Sequence, residues 1–196
     1  MNSAVRRAAV LAGAGALVAS ASALVTPAAH AAGTGTGQYN CTSTLKGATI
    51  SVGTWTAAVA AFSPSSVAKG ATISTPLVTG VISAPAQATA LLQAKGISVL
   101  QGTTTVKYSA TGAVKNPGAR STNVAAPLAV VPPSGNALGI ALVGGPISDT
   151  AANSAGTVTY AVTSVAGTFK TNKGTTLSIK CTPVGGSVTI ATVAVK

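Results

Sequence analysis

Residues 176–181, Thr176-Leu177-Ser178-Ile179-Lys180-Cys181, alternate strictly between polar and apolar side chains. Successive side chains of a β-strand point to opposite faces, so this period of two predicts a strand with one buried face. Cys181 lies in phase with the apolar residues and is therefore expected in the core. The same alternation recurs at residues 105–110 and 157–162. At least three strands of this kind are thus expected.

From Tyr39 onward the chain consists of short runs of Val, Ile, Thr and Ala, interrupted by Gly, Pro, Asn and Ser. That composition is typical of strands separated by turns. Residues 85–95 are the exception and predict one short helix, with Ser83 as its cap and Gly96 just beyond its end. We therefore expect an all-β fold, an immunoglobulin-like two-layer β-sandwich with one short helix. A closed barrel is the alternative.

The N-terminus has the three parts of a secretory signal. Arg6 and Arg7 precede an uncharged apolar run, and Ala29-His30-Ala31 is a small-residue cleavage site. Residues 1–31 are thus predicted to be a cleaved signal peptide, residues 32–38 a flexible leader, and residues 39–196 a single β-sandwich domain. The mature chain has no run long and apolar enough to span a membrane. We expect a secreted protein, either extracellular or associated with the cell wall.

Cys41 and Cys181 are the two cysteines of the chain, and both lie in the part predicted to be exported. An even cysteine count in an oxidising compartment indicates a disulfide. A reactive thiol or a metal site is the alternative, but a metal ion needs three or four ligands, which the chain does not offer. The predicted bond would tie an early strand to a late one.

The charge composition excludes most enzyme classes. Asp149 is the one acidic residue of the chain, and its one histidine, His30, leaves with the signal. Acid–base catalysis, a Ser-His-Asp triad and glycoside hydrolysis by paired carboxylates all need more such groups. Two S-x-x-K matches, at residues 43–46 and 66–69, leave a serine–lysine route open. In both matches Gly and a predicted strand follow the lysine, whereas the motif belongs on a helix. We expect no enzyme activity, no catalytic residue, no metal and no cofactor.

Removal of Arg6 and Arg7 from twelve basic residues leaves ten, so the mature net charge is +9. Such a charge favours anionic partners, and polymers of the cell envelope are the first expectation. The basic residues are scattered singly with few aromatic residues between them, a pattern unlike that of nucleic-acid-binding proteins, so we expect no nucleic-acid partner. They are Lys46, Lys69, Lys95, Lys107, Lys115, Arg120, Lys170, Lys173, Lys180 and Lys196.

Several short motifs resemble a family of uncharacterised secreted actinobacterial proteins. They are Tyr39-Asn40-Cys41-Thr42, the stretch Ser63-Pro64-Ser65-Ser66-Val67-Ala68-Lys69-Gly70, and Cys181-Thr182-Pro183-Val184-Gly185-Gly186. The resemblance implies an immunoglobulin-like sandwich bracketed by an early and a late cysteine, with Cys41 and Cys181 as the pair. It implies no catalytic residue.

The functional hypothesis is a secreted, non-catalytic structural or binding module of the cell envelope, acting through its surface and loops. A carrier of a small apolar ligand in an inter-sheet cavity is one alternative, and an inhibitor of another secreted protein, an enzyme, is the other. A carrier predicts a cavity of several hundred cubic ångströms, as ligand pockets usually have, and a structural module predicts a filled core. Residues 114–122 and 131–136 are the candidate binding loops, and Asp149 is interpreted as a turn residue.

Overall fold

The structure of the protein is a computed structural model, and it describes residues 30–45, 47–75 and 78–196. The predicted signal peptide lies outside these residues except for His30 and Ala31. The elements are β1 (His30–Leu45), β2 (Ala48–Pro64), β3 (Ser66–Val67), β4 (Thr72–Thr75), β5 (Val78–Ala84), α1 (Ala86–Ala94), β6 (Val99–Gly112), β7 (Gly118–Val130), β8 (Leu138–Gly144), β9 (Ile147–Thr150), β10 (Gly156–Thr171), β11 (Thr176–Pro183) and β12 (Val188–Val195).

Eight strands form one closed, barrel-like sheet in the order β11-β1-β2-β5-β8-β7-β6-β10, because β10 also pairs with β11. Every neighbouring pair around this ring is antiparallel. β12 pairs with β10 and with the short β3, while β4 and β9 form a separate two-stranded sheet. The all-β prediction with one short helix is therefore confirmed.

Closure of the ring is where the structure departs from the expected immunoglobulin-like sandwich. The two sheets of a sandwich stay separate, whereas β11 here pairs with β1 on one edge and β10 on the other. Cys181 lies opposite both Cys41 and Val165, and Ile179 lies opposite both Ser43 and Gly167. The alternation of side chains shows which face of a strand is buried, but it does not show which strand pairs with each edge.

The alternation itself is correct. Leu177, Ile179 and Cys181 of β11 are buried, and the residues between them are exposed. In β2 the buried phase shifts at Gly53, whose φ of 84° lies in the left-handed region, and the ladder to β1 shifts register at the same point. A left-handed glycine at such a shift is typical of a β-bulge. Trp55 consequently points into the core, where its Nε1–H donates to the Val52 carbonyl oxygen at 3.0 Å.

The segment expected to be a flexible leader, residues 32–38, belongs to β1 instead and pairs with β2. Its glycines are the reason. A Cβ on Gly33 would overlap the carbonyl oxygen of Ile190 in β12, and one on Gly35 would overlap that of Thr189. Glycine at alternate positions thus lets the backbone of β1 pack directly against the backbone of β12. The glycines that suggested flexibility in the sequence are instead needed for this close packing.

Helix α1 follows β5 directly, with Pro85 at its N-cap and no side-chain capping hydrogen bond. Ser83, the predicted cap, lies in β5. The C-terminal prediction holds, because Gly96 has a φ of 67° and the Ile97 amide donates back to the Leu92 carbonyl oxygen, as in a Schellman motif. At nine residues α1 is too short to cross a membrane, and no other helix occurs in the described part of the chain.

Candidate functional site

The interior of the ring is filled. Between β2, β6, β8, β10 and β11 a cavity of only about 10 Å³ remains, next to Trp55, Phe169 and Cys181. Ligand pockets for small molecules are usually some thirty to a hundred times larger, roughly 300–1,000 Å³. This cavity is therefore far smaller than the one that a carrier with a ligand between the sheets would need.

A second, apolar pocket lies at one end of the ring, where α1 covers the mouth. It has a volume of about 70 Å³. Its wall comes from β2, α1 and β11 and is apolar except for a serine and a lysine. The lining residues are Ser43, Ile50, Val52, Trp55, Ala88, Leu91, Leu92, Lys95, Ile97, Leu177 and Ile179. We call this the α1 pocket.

Helix α1 leaves a large apolar side chain partly in water beside the pocket. Ala88 and Thr89 are buried, whereas Leu91 is 44% exposed. Ile50 on β2 is similarly 46% exposed at the same mouth. Two large aliphatic side chains thus border the pocket with almost half of their surface in water.

The rim of the α1 pocket is basic and held in place. Lys95 ends α1 and lines the pocket. The β10–β11 turn clamps the next residues, because Asn172 accepts from the Ser98 amide at 3.0 Å and donates to the Gly96 carbonyl oxygen at 3.2 Å. The side chain of Lys173 lies across the same loop, since a Cβ added to Gly96 would be 3.5 Å from the Lys173 Nζ. Lys95 thus lines the apolar pocket, and the ammonium group of Lys173 lies beside the next residue along the chain.

The acidic residue of the chain lies elsewhere, and it is not in a turn. Asp149 is in β9, and its side chain is only 6% exposed. The Arg120 Nε–H donates to Asp149 Oδ1 at 3.2 Å, and the guanidinium also donates to the backbone carbonyl oxygens of Asn116 and Ala119. The ion pair thus fixes much of the candidate loop at residues 114–122, of which residues 118–122 belong to β7.

Two tyrosines complete this polar cluster. The rings of Tyr108 and Tyr160 lie 6.1 Å apart between centroids, at an angle of 58°. Burial, followed by the charge of Asp149, raises the pKa of Tyr108 to about 12, and it also raises the pKa of Tyr160. Asp149 Oδ2 and the Tyr160 hydroxyl are both buried without a hydrogen-bond partner. The phenols of Tyr108 and Tyr160 therefore keep their protons at neutral pH.

The described residues offer little else for catalysis. They contain no group of three or more His, Cys, Asp or Glu side chains that could hold a metal ion. Of the two S-x-x-K matches, Ser66 lies in the strand β3 rather than on a helix, and Lys69 is exposed. Lys46, which ends the other match, lies outside the described residues.

The other candidate loop, residues 131–136, connects β7 to β8 and is tied to α1. The Gln93 side chain donates to the Pro132 carbonyl oxygen at 2.5 Å and accepts from the Ser134 hydroxyl at 3.3 Å. The Val131 amide donates to the Ser98 carbonyl oxygen at 2.8 Å. This loop therefore supports the end of the ring that carries the α1 pocket.

Charge is segregated around the ring. Strands β1, β2, β5 and β8 are consecutive neighbours, and none of them contains a Lys, Arg, Asp or Glu residue. Their outer face carries an open groove of about 500 Å³ lined by small and uncharged residues. The next three strands in the ring after β7 each present an exposed lysine, namely Lys107 on β6, Lys170 on β10 and Lys180 on β11. We call these three the lysine face.

The disulfide predicted from the sequence is present. Cys41 and Cys181 are joined, lie opposite each other in the ladder between β1 and β11, and are buried. The bond therefore ties an early strand to a late one, as predicted. Together with the filled core, it defines the protein as an all-β, disulfide-closed domain that offers the solvent mainly threonine, small apolar residues and lysine.

Comparison with known proteins assigns this domain to a family. Residues 38–191 match the family of unknown function DUF6801, and the chain belongs to this family. None of the curated proteins matches it significantly. A crystal structure described as a "putative membrane anchored protein" from Corynebacterium diphtheriae is similar, with a TM-score of 0.58 and 20% identity over 83% of this chain and 37% of that one. This chain spans little more than a third of the length of that protein, and the likeness concerns the fold alone.

Proposed function

We propose that this protein is an exported, non-catalytic binding module of the cell envelope that holds anionic polymers through its lysines. One observation carries the proposal: the chain's one carboxylate side chain is already engaged by Arg120 inside the protein. Every described lysine is exposed and has no side-chain carboxylate available to neutralise it. The surface therefore attracts external anions along much of its extent.

The lysine face is the part of the sheet best suited to this role. Lys180 lies opposite Ala166 of β10, and Ala166 lies opposite Thr105, two residues before Lys107 on β6. Lys170 lies further along β10. The three ammonium groups thus project from adjacent antiparallel strands, which are about 4.7–4.9 Å apart in sheets. A flexible polyanion can contact several of them at once, whereas a compact anion reaches only one.

Export and location at the envelope are supported by three features. The N-terminal residues have the pattern of a secretory signal, and a disulfide such as Cys41–Cys181 persists in oxidising compartments. The solved structure with the similar fold is described as membrane anchored, although that description belongs to the other protein. The filled interior of the ring favours a surface-binding module over a carrier with a ligand between the sheets.

The test is a binding assay of the purified protein against an immobilised linear polyphosphate and an uncharged dextran, at 20 mM and 500 mM NaCl. We expect retention on the polyphosphate alone, with most of it lost at high salt because exposed charges are screened. The triple variant Lys107→Gln/Lys170→Gln/Lys180→Gln should bind less tightly than Lys69→Gln/Lys115→Gln/Lys196→Gln, which removes the same charge elsewhere. Absence of binding at low salt, or binding that salt does not weaken, contradicts the proposal.

A further inference from the structure

We propose that the α1 pocket binds the chain end of a single-chain anionic amphiphile, with the acyl chain inside the pocket and the anionic head at Lys95 and Lys173. This site is separate from the lysine face, so the inference goes beyond polymer binding and does not depend on it. The first step is the character of the wall. Nine of its eleven lining residues are apolar, and these nine come from three separate parts of the chain.

The size of the pocket restricts the ligand. A volume of about 70 Å³ is well below that of ordinary drug-sized sites, at roughly 300–1,000 Å³, so a ring system does not fit. The end of an unbranched hydrocarbon chain is narrow and does fit. Each methylene group removed from water contributes about 0.8 kcal/mol, so a few buried methylenes give useful affinity.

The mouth extends this apolar surface outward. Ile50 and Leu91 flank the opening, and each leaves almost half of its side chain in water. An acyl chain that emerges from the pocket would run between them and cover both. Exposed aliphatic side chains that border a cavity in this way mark a binding site more often than scattered ones do.

The charge at the rim selects the head group. Lys95 lines the pocket, and Lys173 lies across the Gly96 backbone, while the nearest competing carboxylate is committed to Arg120 at another place in the fold. Asn172 ties the backbone that follows Lys95 to the β10–β11 turn through its two hydrogen bonds to Gly96 and Ser98, and Lys173 is the next residue in that turn. An anionic head is favoured there, and a cationic one is repelled.

The experiment uses Trp55, the single tryptophan of the chain, because it lines the pocket and reports occupancy by its fluorescence. The purified protein is titrated with decanoate, decyl phosphate and decyltrimethylammonium, all below their micelle-forming concentrations. We expect saturable binding of both anions, at least ten-fold tighter than that of the cation. Equal binding of anion and cation, or no saturable change, overturns the proposal.

Variants separate the two parts of the site. Ala88→Leu fills the pocket and should abolish decanoate binding, while Lys95→Gln/Lys173→Gln should weaken it about ten-fold, the factor that 1.4 kcal/mol represents. Lys69→Gln/Lys115→Gln, which removes the same charge away from both proposed sites, is the matched control and should bind decanoate as the unaltered protein does. Unchanged decanoate binding by Ala88→Leu, in a variant that retains the circular dichroism of the folded protein, overturns the inference. Polyphosphate retention by Ala88→Leu shows whether the polymer site survives on its own.

A further arm distinguishes free amphiphiles from lipids in a bilayer. Anionic phosphatidylglycerol vesicles are added at matched head-group concentration. A saturable change in Trp55 fluorescence with decanoate, whether or not vesicles also cause one, supports a site for free amphiphiles. A change with vesicles alone overturns it in favour of contact with a membrane surface.

Discussion

Arg120 Nε lies 3.2 Å from Asp149 Oδ1, and this contact engages the one acidic side chain of the protein. It joins β7 to β9 and fixes the backbone carbonyl of Asn116 through the remaining guanidinium donors. Its location inside the protein leaves the lysines outside without a partner. The ion pair thereby leaves the surface without an acidic side chain to offset the lysines.

Asp149→Asn is expected to lower the free energy of unfolding by about 1–3 kcal/mol, the usual value of a hydrogen bond to a charged group. The guanidinium of Arg120, only 28% exposed, would lose its counter-charge. Urea unfolding followed by Trp55 fluorescence measures the change. The double variant Arg120→Leu/Asp149→Leu should lower the free energy of unfolding by less than the sum of the losses from Arg120→Leu and Asp149→Leu alone, because the two side chains are coupled. Simple additivity would show that the contact contributes nothing.

Removal of the disulfide by Cys41→Ala/Cys181→Ala should lower the free energy of unfolding by about 2–5 kcal/mol. The bond joins residues 140 positions apart and so restricts most of the unfolded chain. Equilibrium unfolding in urea provides the measurement. A thiol reductant should destabilise the unaltered protein to a similar degree and leave the double variant unaffected. A loss below 1 kcal/mol would mean that the ring holds without the bond.

Gly35→Ala should destabilise the protein by about 1–3 kcal/mol, the usual range for overpacking. The added Cβ would collide with the Thr189 carbonyl oxygen, and neither backbone can move without separating β1 from β12. Gly139→Ala is the matched control, since its Cβ meets nothing within 4 Å and its stability should stay nearly constant. Thermal unfolding of the two variants compares them directly. Equal melting temperatures would contradict this packing and favour a flexible segment at residues 32–38.

Stability should fall with rising pH above about pH 10, where tyrosines in an unfolded chain begin to lose their protons. The folded protein retains the Tyr108 proton until its pKa of about 12, and burial raises the pKa of Tyr160 as well. Between these values the unfolded state binds fewer protons than the folded state, so alkali favours unfolding. Urea titrations from pH 8 to pH 12 should show a shallower fall for Tyr108→Phe/Tyr160→Phe. An unchanged slope would contradict the argument.

Much of the fold could be predicted from the sequence, because its signals are local. The period of two in β11, the bulge at Gly53 and the helix end at Gly96 each depend on a few neighbouring residues. The disulfide could also be predicted from the sequence, because a chain with two cysteines and almost no other metal ligand offers those cysteines no metal site. The predictions failed where a residue serves a distant partner. Gly35 packs on β12, and Asp149 binds an arginine in another strand.

In the candidate sites, too, local sequence patterns could be predicted and contacts between distant residues could not. Lys95 and Lys173 are 78 positions apart in the chain, and no local pattern brings them together; the clamp formed by Asn172 does. The lysines of the lysine face were known to be single and scattered, but only strand order makes Lys107, Lys170 and Lys180 neighbours. Pairing between distant strands is set by the summed packing of the whole sheet, which no short stretch of sequence encodes.

By itself, the sequence determined the chemistry available to this protein: a surplus of lysine, one carboxylate, one pair of cysteines and strands with one apolar face. Composition and local alternation are properties of the chain before it folds. The tertiary structure alone decided that β11 closes the ring, that the carboxylate is engaged inside, and that an apolar pocket opens beneath α1 beside Lys95. Those outcomes depend on contacts between residues far apart in the chain, which form only when the whole core packs together.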